Sequence, residues 1–174
     1  MIVRQATPAD APAIAEITNQ IIRDTLITFT TVEKTTDQIC AEIADKGPQM
    51  QVAEREGVLL GYIALAPFRA GPGYAQTREL TIYLTTQARG QGVGRALMQA
   101  IETQARADDI HVLVAGISGA NPKAIAFHQA LGFQETARMP QVGRKAGQWL
   151  DLVLMQKILC ANRTADADSV GQPG

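Results

Sequence analysis

A strand, a glycine-rich turn, a helix and a second strand follow one another between residues 79 and 117. Residues 79–84 are rich in Thr, Ile and Tyr, which predicts a strand. Glycines recur through the turn at 90–94, and residues 93–107 carry apolar side chains at helical spacing. Residues 112–117 begin with a nearly continuous apolar run, as a strand buried on both faces does. This crossover unit predicts a sheet with helices packed on it.

Antiparallel hairpins are predicted on both sides of that unit. Residues 50–56 and 58–65 predict two strands joined by a tight turn, and residues 134–142 and 150–158 predict another pair. Helix starts near Thr7 and Thr36, and at Asn121-Pro122, complete the order β-α-α-β-β-β-α-β-α-β-β. The sequence therefore predicts an α/β fold with a mixed central sheet of about seven strands flanked by about four helices.

The chain is expected to form one domain over residues 1–160. Residues 161–174 are small and polar, which predicts a disordered tail because they offer little apolar surface to bury. The net charge of -1 disfavours nucleic-acid binding, and no apolar run reaches the length of a membrane span. Cys40 and Cys160 lack metal-ligand spacing and are expected to be free thiols. We expect a cytoplasmic protein without a bound metal.

The glycine turn is consistent with three kinds of structure. Glycines before a helix let backbone N–H groups approach an anion, and the helix N-terminus favours negative charge, so the turn suits a pyrophosphate. A plain strand-to-helix turn is the simplest alternative. A dinucleotide site of the Rossmann type is the third, but it requires GxGxxG in the first β-α unit and an acidic residue about 20 positions on. A P-loop is excluded because no GK[ST] follows.

Two segments resemble motifs of the GNAT N-acetyltransferase superfamily. The first runs from Leu80 to Met98 and includes Arg89-Gly90-Gln91-Gly92-Val93-Gly94. The second includes Asn121-Pro122, Phe127-His128 and Leu131-Gly132-Phe133, about 25 residues further on. The resemblance implies the acyl-CoA N-acyltransferase fold, with acetyl-CoA as cosubstrate.

A narrower resemblance covers residues 2–158. Thr28-Phe29-Thr30-Thr31, Gly73-Tyr74 and the stretch from Val142 to Gln156 resemble the phosphinothricin and methionine sulfoximine acetyltransferases. The resemblance implies acetylation of the α-amine of a small amino-acid-like compound, and it implies a homodimer. The chain departs from the group at Ala70-Gly71-Pro72, where a second basic residue is usual, and Arg78 is a possible substitute.

Acetyl transfer needs a base for the amine and a proton for the leaving thiolate. Glu79 is predicted to be the base, because it begins the strand that leads to the glycine turn. The alternative is an edge glutamate paired with Arg69 or Arg78. The resemblance places His128 where the superfamily usually has the tyrosine that protonates the thiolate, so His128 is predicted to be the acid. It could instead orient the substrate or pack on its helix, and Tyr83 is an alternative donor.

The remaining predicted site residues fall into two groups. The resemblance and the glycine turn together imply that the cofactor contacts Ile82, Tyr83, Leu84, Arg89, Gly90, Gln91, Gly92, Val93, Gly94, Arg95 and Asn121. The backbone of residues 82–84 would polarise the thioester carbonyl. Arg69 and Arg78 are predicted to bind a substrate carboxylate, with Phe68 and Glu79 beside it, since a guanidinium matches a carboxylate with two hydrogen bonds.

Three functions are compatible with these residues. The leading hypothesis is direct acetyl transfer to an amino-acid-like amine, without an acyl-enzyme, because neither cysteine lies near the motifs. Another amine, such as a polyamine, an aminoglycoside or a protein terminus, is the first alternative. A catalytically silent acyl-CoA-binding sensor is the second.

Overall fold

The protein is described by a computed structural model that covers residues 1–159 of the chain. Cys160 and the tail predicted at 161–174 lie outside the described residues. Within residues 1–159, none of the helices combines the length and the apolarity needed to cross a bilayer.

Seven strands and four helices follow the predicted order. In chain order they are β1 (Ile2–Gln5), α1 (Ala11–Asp24), α2 (Thr36–Lys46), β2 (Met50–Arg55), β3 (Val58–Pro67), β4 (Thr77–Leu84), α3 (Val93–Ala107), β5 (Val112–Ser118), α4 (Pro122–Ala130), β6 (Gln134–Lys145) and β7 (Gln148–Ile158). The predicted fold class is confirmed. The largest differences in bounds are at the first helix, which begins at Ala11 after a 3-10 turn at Pro8–Asp10, and at β6, which continues three residues beyond its predicted end to Lys145.

Local sequence signals explain where the helices begin. The Thr35 hydroxyl accepts a hydrogen bond from the Gln38 N–H, and the Gln38 Oε1 atom accepts one from the Thr35 N–H, which is a capping box at the start of α2. Gly92 precedes α3 in the left-handed conformation, with φ of 78°. Asn121 caps α4, whose first residue is Pro122.

The strands form one mixed sheet in the order β1-β2-β3-β4-β5-β7-β6. Only β4 and β5 are parallel, and every other described neighbouring pair is antiparallel. The helix α3 connects those two parallel strands, as parallel pairing requires a crossover. The glycine turn therefore lies at the carboxyl end of a central strand.

A separate apolar core covers each face of the sheet. On one face, α3 and α4 pack over β3, β4, β5 and β7, with Leu97, Ile101 and Leu113 fully buried. On the other face, α1 and α2 pack over β2 and β3, with Ile14 and Ile39 fully buried. Side chains of a strand alternate between the faces, so successive residues of one strand join different cores.

The parallel pairing of β4 with β5 is short. It extends from Thr77 opposite Val112 to Leu80 opposite Ala115 and then stops, although β4 continues to Leu84 and β5 to Ser118. Each strand keeps its outer neighbour over that length, β3 for β4 and β7 for β5. The sheet therefore opens into a cleft between two strands that remain well supported.

Candidate active site

The cleft between the diverging strands has two adjoining halves. The Glu79 half measures about 340 Å³ and includes Gly116 and Ser118 of β5. The glycine-turn half measures about 370 Å³ and includes Arg89 and Gly90. Both halves share the same six lining residues, Ile27, Ile82, Tyr83, Asn121, Ala124 and His128. A ligand bound in one half therefore meets a ligand bound in the other at these residues.

The glycine turn leaves free backbone donors just after Arg89 and Gly90, the two residues of the turn that line the second half. Gly90 and Gly92 have φ of 75° and 78°, a conformation that residues with a Cβ adopt only with strain. The N–H groups of residues 92–95 donate to no acceptor within residues 1–159, because the first backbone hydrogen bond of the helix runs from Ala96 to Gly92. Four unpaired donors at a helix N-terminus suit a pyrophosphate.

Other predicted cofactor contacts of the turn have structural roles. An added Cβ at Gly94 would meet the Phe127 ring at 3.1 Å, so this glycine lets α3 approach α4. The Gln91 side chain donates to the Gln87 carbonyl and accepts from Arg55, which holds the turn together. Val93 is fully buried in the core. Arg95 is exposed and lines neither half of the cleft, in contrast to Arg89.

The exposed edge of β4 provides the other predicted cofactor surface. Ile82, Tyr83 and Leu84 line the glycine-turn half, at the level where β4 has lost its pairing with β5. Backbone groups on that edge have no strand partner, and they can pair with the amide groups of a ligand. Asn121 borders both halves while its side-chain oxygen accepts from the Ala124 N–H at 3.2 Å. Asn121 therefore caps α4 and borders the cleft at the same time.

Glu79 lies at the base of the first half, next to the point where pairing stops. It is half-buried, and an added Cβ at Gly116 would meet its Oε1 atom at 3.0 Å, so the carboxylate occupies the space that this glycine leaves open. Burial raises the pKa of the Glu79 carboxyl, while the positive charge of Arg69 lowers it. The side chains within residues 1–159 form no hydrogen bond or ion pair with this carboxylate, so the alternative of an edge glutamate paired with Arg69 or Arg78 is not seen there.

The two predicted carboxylate-binding arginines lie on opposite sides of the sheet. Arg69 stacks over the Phe68 ring at 5.2 Å and is close enough to act on the pKa of Glu79. Arg78 belongs to the opposite face by strand alternation, and its guanidinium donates to the Ala75 carbonyl at 2.8 Å and to Gln49. Neither arginine is among the residues that line the two halves, but Arg69 acts on Glu79 whereas Arg78 is held on the other face, which argues against the prediction that Arg78 replaces the missing basic residue of the loop.

His128 lies in the cleft wall with its ring held by one hydrogen bond. Nδ1 is 2.8 Å from the Ala124 carbonyl, which can only accept, so Nδ1 carries the proton. Nε2 is buried without a described partner, and the ring lies between Phe127 and Phe133. Burial lowers the pKa of the imidazole, partly opposed by the Ala124 hydrogen bond. In the neutral ring with its proton on Nδ1, Nε2 is a hydrogen-bond acceptor, so acid catalysis from Nε2 would require the imidazolium form, which burial disfavours.

Two parts of the cleft wall have no counterpart among the predicted site residues. Gly116 makes room for Glu79, and the connection between α1 and α2, residues 25–35, covers the Glu79 half with Ile27, Thr28, Phe29 and Thr30. The α1–α2 loop comes from a distant part of the chain, and only its resemblance to the phosphinothricin group marks it in the sequence. Within residues 1–159, no three His, Cys, Asp or Glu side chains converge as metal ligands do.

The comparisons with known proteins agree with this architecture. The model of the acetyltransferase (GNAT) family matches residues 15–133. An L-amino acid N-acyltransferase of Escherichia coli is 36% identical, over 98% of this chain and 100% of its own. An L-methionine sulfoximine/L-methionine sulfone acetyltransferase of Salmonella typhimurium is 37% identical, over 96% of this chain and 99% of its own. A phosphinothricin acetyltransferase from Sinorhizobium meliloti, solved in complex with acetyl-CoA, is 31% identical with a TM-score of 0.87, over 98% of this chain and 94% of its own.

The chain belongs to the acetyltransferase (GNAT) family. It is an acetyl-CoA-dependent N-acetyltransferase, and the resemblance to the methionine sulfoximine and phosphinothricin group is confirmed. The cleft fits the cosubstrate on its own geometry, since the glycine-turn half combines an unpaired strand edge with Arg89 and Gly90, and the free N–H groups of a helix start follow directly in the chain.

The glycine turn can be tested at Gly92. We expect Gly92→Ala to lower the free energy of unfolding by about 1 kcal/mol, because alanine is strained at this φ. We expect the KM for acetyl-CoA to rise several-fold, because relief of the strain turns the free N–H groups away. Gly73→Ala is the matched control, since Gly73 has an ordinary φ and no atom within 4 Å of an added Cβ. Equal KM values for wild type and Gly92→Ala would contradict the role of the turn.

Proposed function

We propose that the enzyme transfers the acetyl group of acetyl-CoA to the α-amine of a small amino-acid-like substrate by direct attack. The observation that carries this proposal is a half-buried carboxylate, Glu79, which lines the first half of the cleft beside the point where the β4–β5 pairing stops and has no hydrogen-bond partner within residues 1–159. The names of the relatives support the amine class, since those proteins act on amino acids or their analogues.

Glu79 is the proposed base. An ammonium has no lone pair, so it must lose a proton before the nitrogen attacks a thioester. Glu79 accepts that proton directly or through water, and its raised pKa makes it a stronger acceptor than an ordinary carboxylate. The charge of Arg69 favours the ionised carboxylate, and Arg69 is proposed to bind the substrate carboxylate next to the Phe68 ring.

The remaining roles are assigned to Tyr83, His128 and the β4 backbone. Tyr83 lines both halves and carries a hydroxyl that can donate a hydrogen bond, so we assign it the donation to the leaving sulfur. His128 accepts a hydrogen bond at Nε2 and orients the ligand or water that donates it. The backbone of Ile82–Leu84 is proposed to polarise the thioester carbonyl, which acetyl-CoA supplies when bound. The contacts to the cofactor are proposed for Arg89, for Gly90 and for the backbone N–H groups of residues 92–95.

The substrate class can be tested by thiol release from acetyl-CoA with a panel of amines. We expect turnover of methionine sulfone, methionine sulfoximine or phosphinothricin, and little turnover of spermidine or an aminoglycoside, because Arg69 repels cationic acceptors. Turnover of the polyamine alone would contradict the carboxylate site. Binding of acetyl-CoA without turnover of any amine would favour the silent sensor.

The catalytic role of Glu79 can be tested by the pH dependence of kcat. Glu79→Gln should lower kcat by about 100-fold. It should not lower the free energy of unfolding, because a desolvated carboxylate is replaced by a neutral amide. The acidic limb of the wild-type profile should lie at a higher pH than a fully solvated glutamate would give, since burial raises this pKa.

The variants of Arg69 and Arg78 can be compared in the same pH profile of kcat. The charge of Arg69 lowers the pKa of Glu79, so Arg69→Gln should raise that pKa further and move the acidic limb to higher pH. Arg78→Gln removes the same charge from the other face of the sheet and should leave the limb in place. An equal shift of the acidic limb in both variants would contradict the assignment of Arg69, and not Arg78, as the charge that acts on Glu79.

We also propose a homodimer. The outer edge strand β6 is exposed over most of its length, and Met139, Val142 and the neighbouring Trp149 present apolar side chains there. Light scattering should give twice the monomer mass of 18.6 kDa, and a monomer at assay concentration would refute the proposal. The cytoplasmic location stays a prediction.

A further inference from the structure

The α1–α2 loop covers the Glu79 half of the cleft without regular structure of its own. Residues 27–30 of this loop line that half. The Asn19 side chain holds the far end of the loop through two hydrogen bonds of 2.8 Å to the backbone of Lys34. The cleft-lining part is held differently, by side chains and backbone from the end of β6.

The first of those contacts joins Phe29 to Gly143. An added Cβ at Gly143 would lie 2.5 to 2.8 Å from three atoms of the Phe29 ring, so the ring rests directly on the glycine backbone. The φ of Gly143 lies outside the left-handed region, and alanine is compatible with its backbone. The Phe29 ring, and not the conformation of the chain, is what requires glycine at this position.

The second contact joins Lys145 to Thr28. The Lys145 side chain is buried, and its Nζ donates to the Thr28 carbonyl at 3.1 Å across 117 positions of sequence. The other described side chains and carbonyls form no hydrogen bond with this ammonium. A buried ammonium is costly without a partner, so the contact fixes the loop at the residue before Phe29.

An irregularity in β6 explains why Gly143 and Lys145 face the α1–α2 loop. The register of β6 against β7 shifts between Met139 and Gly143, and Gln141 has φ of 56° with its N–H donated to Asp151. Pairing resumes at Gly143, which lies opposite Leu150. A bulge of this kind redirects the residues that follow it, and here Gly143 and Lys145 turn inward while Arg144 stays exposed.

We propose that Phe29, held in place by Gly143 and Lys145, forms the wall that determines which acceptor side chains the enzyme accepts. This inference rests on the proposed acetyl transfer and adds a specificity-determining residue, Phe29, with two positioning residues. Its ring gives the Glu79 half an apolar wall, which suits an α-amino acid whose side chain begins with an apolar stem. Gly143 and Lys145 act through the ring and the loop and do not touch the substrate.

A double-mutant cycle tests the proposal. Gly143→Ala displaces the ring, so kcat/KM for the amine should fall by about tenfold, since small displacements of a binding wall are costly to positioning. The KM for acetyl-CoA should stay unchanged, because the glycine-turn half does not include the ring. In the Phe29→Ala background, Gly143→Ala should cause no further loss, since no ring remains to be displaced. Additive losses would overturn the proposal.

The substrate profile gives a second outcome of the same variants. Phe29→Ala enlarges the Glu79 half, so the ratio of kcat/KM for a bulky apolar amino acid to that for methionine sulfone should rise above the wild-type ratio. An unchanged ratio would show that Phe29 does not select the acceptor. Gly73→Ala is the matched control and should change neither ratio nor rate.

Hydrogen exchange separates this inference from the proposed function. Amide exchange over residues 25–35 should be faster in Gly143→Ala and in Lys145→Met than in wild type or Gly73→Ala. Lys145→Met keeps the side-chain length while removing the donor to Thr28, and it provides the test if Gly143→Ala does not fold. Unchanged exchange in Lys145→Met would overturn the inference that Lys145 holds the α1–α2 loop in place. Failure of the wild type to acetylate any amine would instead overturn the proposed function alone.

Discussion

The early end of the β4–β5 pairing is the constraint on which the site depends. Two parallel strands separate after Leu80 and Ala115, and each is still hydrogen-bonded to its outer neighbour, so the opening does not unravel the sheet. Unpaired backbone groups inside a protein are costly unless a ligand or water satisfies them. The opening thus creates both the space for an extended cosubstrate and the backbone groups that bind it, at the level where α3 presents its free N–H groups.

Strand alternation distributes chemistry between the two faces of that opening. Glu79 and Tyr83 point toward α1 and α2, whereas Arg78 and Leu80 point toward the face covered by α3. Neighbours in a strand cannot share a face, and this rule, applied to the sequence, excludes a joint carboxylate site for Arg78 and Glu79. Strand alternation does not constrain Arg69, because this residue follows the end of β3 at Pro67.

Local signals were sufficient to predict the elements, but not the contacts between them. The capping box at Thr35, the glycine turn and the apolar crossover strand each have a short sequence signature, and the predicted order of elements is confirmed. The contact between the Phe29 ring and Gly143 joins positions more than 100 residues apart in the sequence. It depends on a bulge that no local pattern marks. The protonation of His128 depends likewise on its burial between Phe127 and Phe133 and on the Ala124 carbonyl.

The proton balance of acetyl transfer agrees with this arrangement of groups. The substrate nitrogen loses two protons between the ammonium and the amide, and the sulfur gains one, so one proton must leave for solvent. A site for this reaction therefore needs one donor near the sulfur and an acceptor with access to water. Tyr83 can be the donor, and half-buried Glu79 can release its proton again because Arg69 favours the ionised carboxylate. A fully enclosed carboxylate would keep that proton and stop after one turnover.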